Sequence, residues 1–205
     1  MIYSSRMQLA RVVSRFLTEG LERREHCWYV GATADNRPLW SALRRRGLDP
    51  DHLIRVGALK FLLPADVYLV GGEFQAARAD RVFGDAITQA RIEGFRGLRV
   101  AVDVSWVSAI EDGAERLIAY EAHAQTGFAS APVTGLCLYH RRRLPLHLLH
   151  GALLTHPLTT AARGAAAANP FYEGETTSLP PASDRDVIEK LHVLTRLTRR
   201  SRRRR

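Results

Sequence analysis

One stretch near the start of the chain constrains its fold more than any other: a long amphipathic helix running straight into a short buried strand. In residues 6–31, Leu9, Val12, Val13, Phe16, Leu17 and Leu21 recur at the spacing of one helical face. Cys27-Trp28-Tyr29-Val30 follows as an apolar run of strand-forming types, with charge before it and Gly31 behind. In nucleotide-binding α/β proteins such a helix follows a strand and a Gly-rich loop whose N–H groups cradle phosphate. Met1-Ile2-Tyr3-Ser4-Ser5 contains no such loop. The frame of an ATP-binding domain is expected, without the part that grips ATP.

Beyond residue 31 helical and strand patterns alternate. Helices are predicted over Pro38–Arg46, Phe74–Glu93, Gly113–Gln125 and Pro145–Leu154, each stopped by glycine or by a change of period. Strands are predicted at Leu53–Val56, Val67–Val70, Leu98–Val104 and Val133–Tyr139, with a last apolar stretch around His156–Ala162. Strands separated by helices imply parallel pairing through crossovers, so the expected fold is an α/β three-layer sandwich with a mostly parallel central sheet. The pattern divides the chain into a domain over 1–175, a Pro-containing linker over 176–183, and a helix from Asp184 to about Arg200, capped by Ser183 or Asp184 with Val187, Ile188, Leu191, Leu194 and Leu197 on one side, that runs into an Arg-rich tail.

Charge is distributed unevenly. The net +9 falls mostly on residues 185–205, where nine Arg or Lys face two acids, a local +7, leaving the other 184 residues at +2. Nucleic acid or an acidic partner is therefore a candidate only for the tail, through Arg199, Arg200, Arg202, Arg203, Arg204 and Arg205. The tail lacks the interleaved aromatics that stack bases, so a solvated tail with incidental polyanion affinity is the plain alternative. No apolar run approaches the ~20 residues of a membrane helix, and the expectation is a cytoplasmic protein without a membrane partner. Cys27 and Cys137 both sit in apolar strand-like runs, as reduced core thiols do.

A few residues combine chemistry with placement. Asp103 ends the strongest strand, and ligands of open parallel sheets gather outside the carboxyl ends of strands. Its plain reading is an acid capping the next loop. Glu121 shares a helical face with Leu117 and Ile118, so its carboxylate must find a partner inside the protein or line a pocket. Trp106, Cys137, Tyr139, His156 and Tyr172 fall at strand ends or just beyond, and Asn169-Pro170-Phe171-Tyr172 reads as a turn with an aromatic lid. Cys137 and His156 lack the local signature of a nucleophilic pair, and the eight scattered His show no CxxC or HExxH spacing, so neither catalysis nor a metal is expected.

Seven segments in order carry a family resemblance: FLTEGLERREHCWYVG, LPADVYLVGGEFQAAR, GFRGLRVAVDVSWV, AERLIAYEA, GLCLYHRRRLP, LLTHPL and NPFYEGE. Together they resemble the MEDS family, the sensory domain of the DcmR type, over roughly residues 3–175. That family is similar to the KaiC/RecA type of ATPase core with its phosphate loop lost. The resemblance implies a non-enzymatic sensory domain without a cofactor. It also implies a small organic ligand, and a signalling partner such as a histidine kinase, a sigma-factor regulator or a transcription factor. Two departures stand out. The family's first strand, roughly HICxFY and normally central in such a sheet, is truncated to Ile2-Tyr3, and its Glu-Met-Ser/Thr-Trp is Asp103-Val104-Ser105-Trp106. The ligand is expected at the C-terminal edge of the sheet, among Tyr3, Asp103, Trp106, Glu121, Cys137, Tyr139, His156, Asn169 and Tyr172. The competing reading is a degenerate ATPase-like scaffold, its strand ends filled by Trp106, Phe171 and Tyr172.

Overall fold

The computed structural model describes residues 1–31, 36–160, 166–174 and 182–200. Its centre is a five-stranded, wholly parallel sheet built from β1 (Ile2–Tyr3), β2 (His26–Val30), β3 (Leu59–Leu62), β6 (Leu98–Asp103) and β7 (Val133–His140), in the order β1-β7-β6-β2-β3. The α/β three-layer arrangement expected from the sequence is what forms.

Alternation along the strands assigns each side chain to one of two cores. On one face Trp28, Val30, Leu98, Val100 and Val102 pack against α5 (Ala76–Ile92), α6 (Gly113–Gly127) and α7 (Leu146–Thr155). On the other, Cys27, Tyr29, Ala101 and Leu138 pack against α1 (Arg6–Glu22) and α2 (Arg37–Arg44), which supply Leu9, Val13, Leu17, Leu39 and Leu43. Gly20 lets α1 approach closely, because a Cβ there would sit 2.4 Å from Arg99 Cδ and 2.7 Å from Cys27 Sγ. Arg99, buried on this face, pairs with Glu25 and lies 4.5 Å from the Phe16 ring centroid.

Three sequence expectations need correction. Leu53–Val56 is not a strand: α3 (Pro50–Arg55) occupies it, started by the Asp49 carboxylate accepting from the Asp51 N–H and by Pro50 in the first turn. The sheet strand is the next segment, β3, whose Lys60 at the sheet edge disguised it. Val67–Val70 is not a sheet strand either. Pro64 opens a single turn, α4 (Pro64–Val67), and the extended remainder, β4 (Leu69–Val70), pairs antiparallel with β5 (Glu73–Phe74). Gly71 and Gly72 turn that hairpin at φ of 61° and 89°, the left-handed backbone of a type I′ turn. Finally, the first strand was expected at the sheet's centre. Instead Ile2 and Tyr3 lie at the edge, opposite Tyr139 and His140 only. The outer side of β7 from Val133 to Leu136 therefore has no strand beside it among the described residues.

The last helix, α8 (Asp184–Arg200), docks on α7 by burying Val187, Leu191 and Leu194. The stripe was legible as every third or fourth apolar residue. Its Ser183 hydroxyl accepts from the Asp186 N–H, and the Asp186 carboxylate accepts from the Ser183 N–H, a reciprocal cap. Arg199 and Arg200 end α8, and Arg202 to Arg205 lie outside the described residues, as does most of the expected linker. Lys190 Nζ donates to the buried His150 Nε2 at 3.0 Å, which requires a neutral ring. Burial, seconded by the Lys190 charge and opposed by Glu173 and Asp186, holds His150 below its ordinary 6.5. The released state takes up the proton more readily, so docking is at full strength above about pH 6.5 and weakens as pH falls below it. Hydrogen exchange of α8 amides, corrected for intrinsic rates, should accelerate between about pH 7.5 and about pH 5.5, and His150→Gln should remove that dependence.

Candidate ligand-binding site

Two clusters form at and near the strand ends. The first joins Tyr3 of β1 to Asp103 of β6. The Tyr3 hydroxyl donates to the Asp103 carboxylate, 3.0 Å from each oxygen, while Ser105 donates to it through both its N–H (3.1 Å) and its hydroxyl (2.7 Å). Asp103 thereby caps the short 3-10 helix Val104–Ala109. Burial, reinforced by the Asp103 charge, raises the Tyr3 hydroxyl well above its usual range, so it remains a donor. Nearby, Ser5 caps α1 by accepting from the Gln8 N–H, and the Gln8 side chain accepts from the Ser4 N–H. Side chains thus take the Ser4 and Gln8 N–H groups at the start of α1, the kind of group that can otherwise hold an anion. The cleft here, lined by Tyr3, Arg6, Tyr29, Asp103 and His140, has a volume of only about 50 Å³.

The second cluster draws on three elements. Glu121 comes from α6, Cys137 and Tyr139 from β7, and His156 from the residue after α7. The Tyr139 hydroxyl donates to both oxygens of the Glu121 carboxylate, which supplies the partner that a carboxylate on an apolar helix face demands. His156 Nε2 lies 4.0 Å from Glu121 Oε1. His156 Nδ1 is 3.1 Å from the Ala152 carbonyl, an acceptor only, so Nδ1 carries the hydrogen. Burial, seconded by the Glu121 charge, raises the Cys137 thiol and the Tyr139 hydroxyl far above their usual ranges. Burial lowers His156 even though Glu121 pulls the other way. A protonated thiol beside a neutral imidazole is a poor start for nucleophilic chemistry.

Glu121, Cys137 and His156 form the polar end of a pocket of about 400 Å³, with Tyr139 buried behind them. Val100, Val102, Leu117, Ala124 and Phe128 supply apolar walls, Tyr68 and Phe83 join them, and Gly135 and Leu136 of the unaccompanied stretch of β7 form one side. The pocket runs along the flank of the sheet rather than across its C-terminal edge. The remaining sequence candidates lie elsewhere. Trp106 is buried in an aromatic stack with Tyr68 (centroids 5.1 Å) and Phe74 (6.0 Å), its indole N–H without a partner among the described residues. Asn169 donates to the Leu153 and His156 carbonyls at 2.6 and 2.8 Å, pinning the backbone at His156, and accepts from the Phe171 N–H. Tyr172 is exposed. Sequence reasoning missed Tyr68, Phe83 and Phe128. Their aromatic character on inward faces reads as core, and only the pocket distinguishes them.

The sequence profile of the MEDS family, the MEthanogen/methylotroph, DcmR Sensory domain, matches residues 1–157. The chain belongs to the MEDS family. It is a member of a sensory domain family, and its apolar pocket with a convergent polar end belongs to that MEDS domain. Comparison with curated proteins returns no match. Among solved structures, the fold is similar to that of a KaiC-like protein from the hyperthermophilic archaeon Pyrococcus horikoshii OT3, with a TM-score of 0.48 and 11% identity. That similarity covers 68% of this chain, and the chain spans 58% of the archaeal protein's length. Among the described residues no helix is long and apolar enough to cross a membrane.

Proposed function

We propose that this MEDS domain is a non-enzymatic sensor of a small, largely apolar organic molecule bound in the flank pocket, with the molecule's polar group toward Glu121, Cys137 and His156. The pocket carries the reading. Its volume of about 400 Å³ lies within the ~300–1,000 Å³ typical of small-molecule sites, and a few polar groups converge at one end of apolar walls. Trp106 is buried in the core just beyond β6 and Phe171 packs against the same core, as the scaffold reading expects, but Tyr172 is exposed and none of the three lines the pocket. The signal would pass to a separate regulatory protein, by the ligand favouring one docking state of α7 and α8 over another. A ligand shifts such an equilibrium only by its differential affinity for the two states. His156 closes α7 and His150 on the same helix meets α8, so pocket and output surface share one rigid element.

Native mass spectrometry of protein isolated from its own cells should show a retained small molecule that Ala124→Trp, which fills the pocket, expels. Retention unchanged by Ala124→Trp would place the ligand elsewhere, and no retained molecule together with no stabilisation by any member of a small-organic library would sink the proposal. Mg-ATP at millimolar concentration is expected to leave the thermal midpoint unchanged, since the cleft beside Asp103 is only about 50 Å³ and that carboxylate is already engaged by Tyr3 and Ser105. A rise in midpoint measured by thermal shift would contradict that expectation.

A further inference from the structure

From the juxtaposition of Glu121, Cys137 and His156 we infer a transition-metal site, suited to a Zn²⁺-type ion, at the polar end of the flank pocket. One carboxylate oxygen, the thiol sulfur and one imidazole nitrogen all lie within 4.8 Å of one another. Three donors on α6, β7 and the segment after α7 are far apart in sequence, so no ligand-spacing motif announces them.

The arrangement has the marks of a built site. His156 Nδ1–H is committed to the Ala152 carbonyl, so its Nε2 lone pair faces the Glu121 carboxylate across 4.0 Å. Each ligand is also held from behind. The Ala152 carbonyl fixes the imidazole tautomer, Asn169 pins the His156 carbonyl, and the Tyr139 hydroxyl holds the Glu121 carboxylate. Metal sites generally depend on such outer contacts.

Thiolate, imidazole and carboxylate together suit a borderline ion. Bond lengths of ~2.0–2.3 Å put tetrahedral donors roughly 3.3–3.7 Å apart, so the side chains need close by only about 1 Å. On binding, the Cys137 S–H bond breaks as the S–metal bond forms, and the proton leaves to solvent. Glu121 and His156 contribute lone pairs, and nothing is oxidised or reduced. Three protein ligands leave a fourth position, which opens on the apolar pocket, as in sites where a metal meets an exogenous molecule rather than closing a fold. A small molecule bearing a thiolate, amine or carboxylate head on an apolar body matches that combination. The metal site stands without the organic ligand, and the ligand proposal stands without the metal, so the two fail separately.

The test uses the full chain, stripped with a chelator and titrated with Co²⁺ alone. One equivalent should bind per chain, giving thiolate-to-cobalt charge transfer in the near ultraviolet and the intense visible bands of a four-coordinate ion, both bleached by Zn²⁺. Cys137→Ser and His156→Gln should abolish these bands while far-ultraviolet circular dichroism stays native. Tyr139→Phe should weaken affinity by roughly 10–100-fold, and Cys27→Ser, on the opposite face of the sheet, should change nothing. If the two ligand variants fail to fold, the wild-type spectrum decides by itself. Absence of the charge-transfer band, or bands that survive Cys137→Ser, would overturn the assignment.

Discussion

Arg99→Ala is expected to cost this domain about 3 kcal/mol or more, measured as a drop in the denaturation midpoint at unchanged slope. Arg99 is one of the few charged side chains inside the sheet's core, and three groups depend on it. Glu25 closes the ion pair, Phe16 lies under the guanidinium, and Gly20 is a glycine because the arginine stem fills the space a Cβ would take. Truncation leaves a mostly buried carboxylate unpaired and a void beneath α1. The paired change Arg99→Met with Glu25→Gln should recover much of the loss, since replacing a buried pair by neutral groups of similar volume is often tolerated. If Arg99→Ala alone were neutral, the closeness of α1 to β6 would need another explanation.

The second large effect is Trp106→Ala, at about 3–5 kcal/mol for removing a buried indole. Trp106 links the hairpin residue Phe74 to Tyr68, which in turn touches Phe83 and Tyr120. The variant should therefore loosen the β4–β5 hairpin against the strand ends, visible as faster hydrogen exchange at Leu69 and Val70. Tyr172→Ala, at an exposed position, should lie within about 0.5 kcal/mol of wild type. The contrast separates two aromatics that are indistinguishable in sequence, where both follow a strand or a turn.

Much of the fold was legible because its signals are local. The stripe of α1, the alternation of β6 and the caps of α8 each depend on residues a few positions apart. Errors arose where two signals competed. Leu53-Ile54-Arg55-Val56 reads as a strand by side-chain type, but Asp49-Pro50 starts a helix there, and the cap decides. Leu59-Lys60-Phe61-Leu62 was passed over because an edge strand tolerates a lysine that a central strand would not. The site was legible one residue at a time and not as a set. Glu121 could be seen to need a partner, but its partner Tyr139 is 18 positions away and nothing in the sequence couples them. Asp103 was foreseen as either a pocket acid or a cap, and the structure gives it a cap's hydrogen bonds.

Those bonds at Asp103 bear on how far this architecture is from ATP chemistry. Grafting a glycine-rich turn ahead of α1 would supply amides for a triphosphate, but would not free Asp103 to hold its magnesium. Both oxygens of that carboxylate are already engaged by Tyr3 and Ser105. Holding Mg-ATP there would take at least two coordinated changes on separate strands, one to make the loop and one to release the acid. The cleft at the strand ends is thus barred to a nucleotide by two separate obstacles, neither of which stands in the way of a guest on the flank.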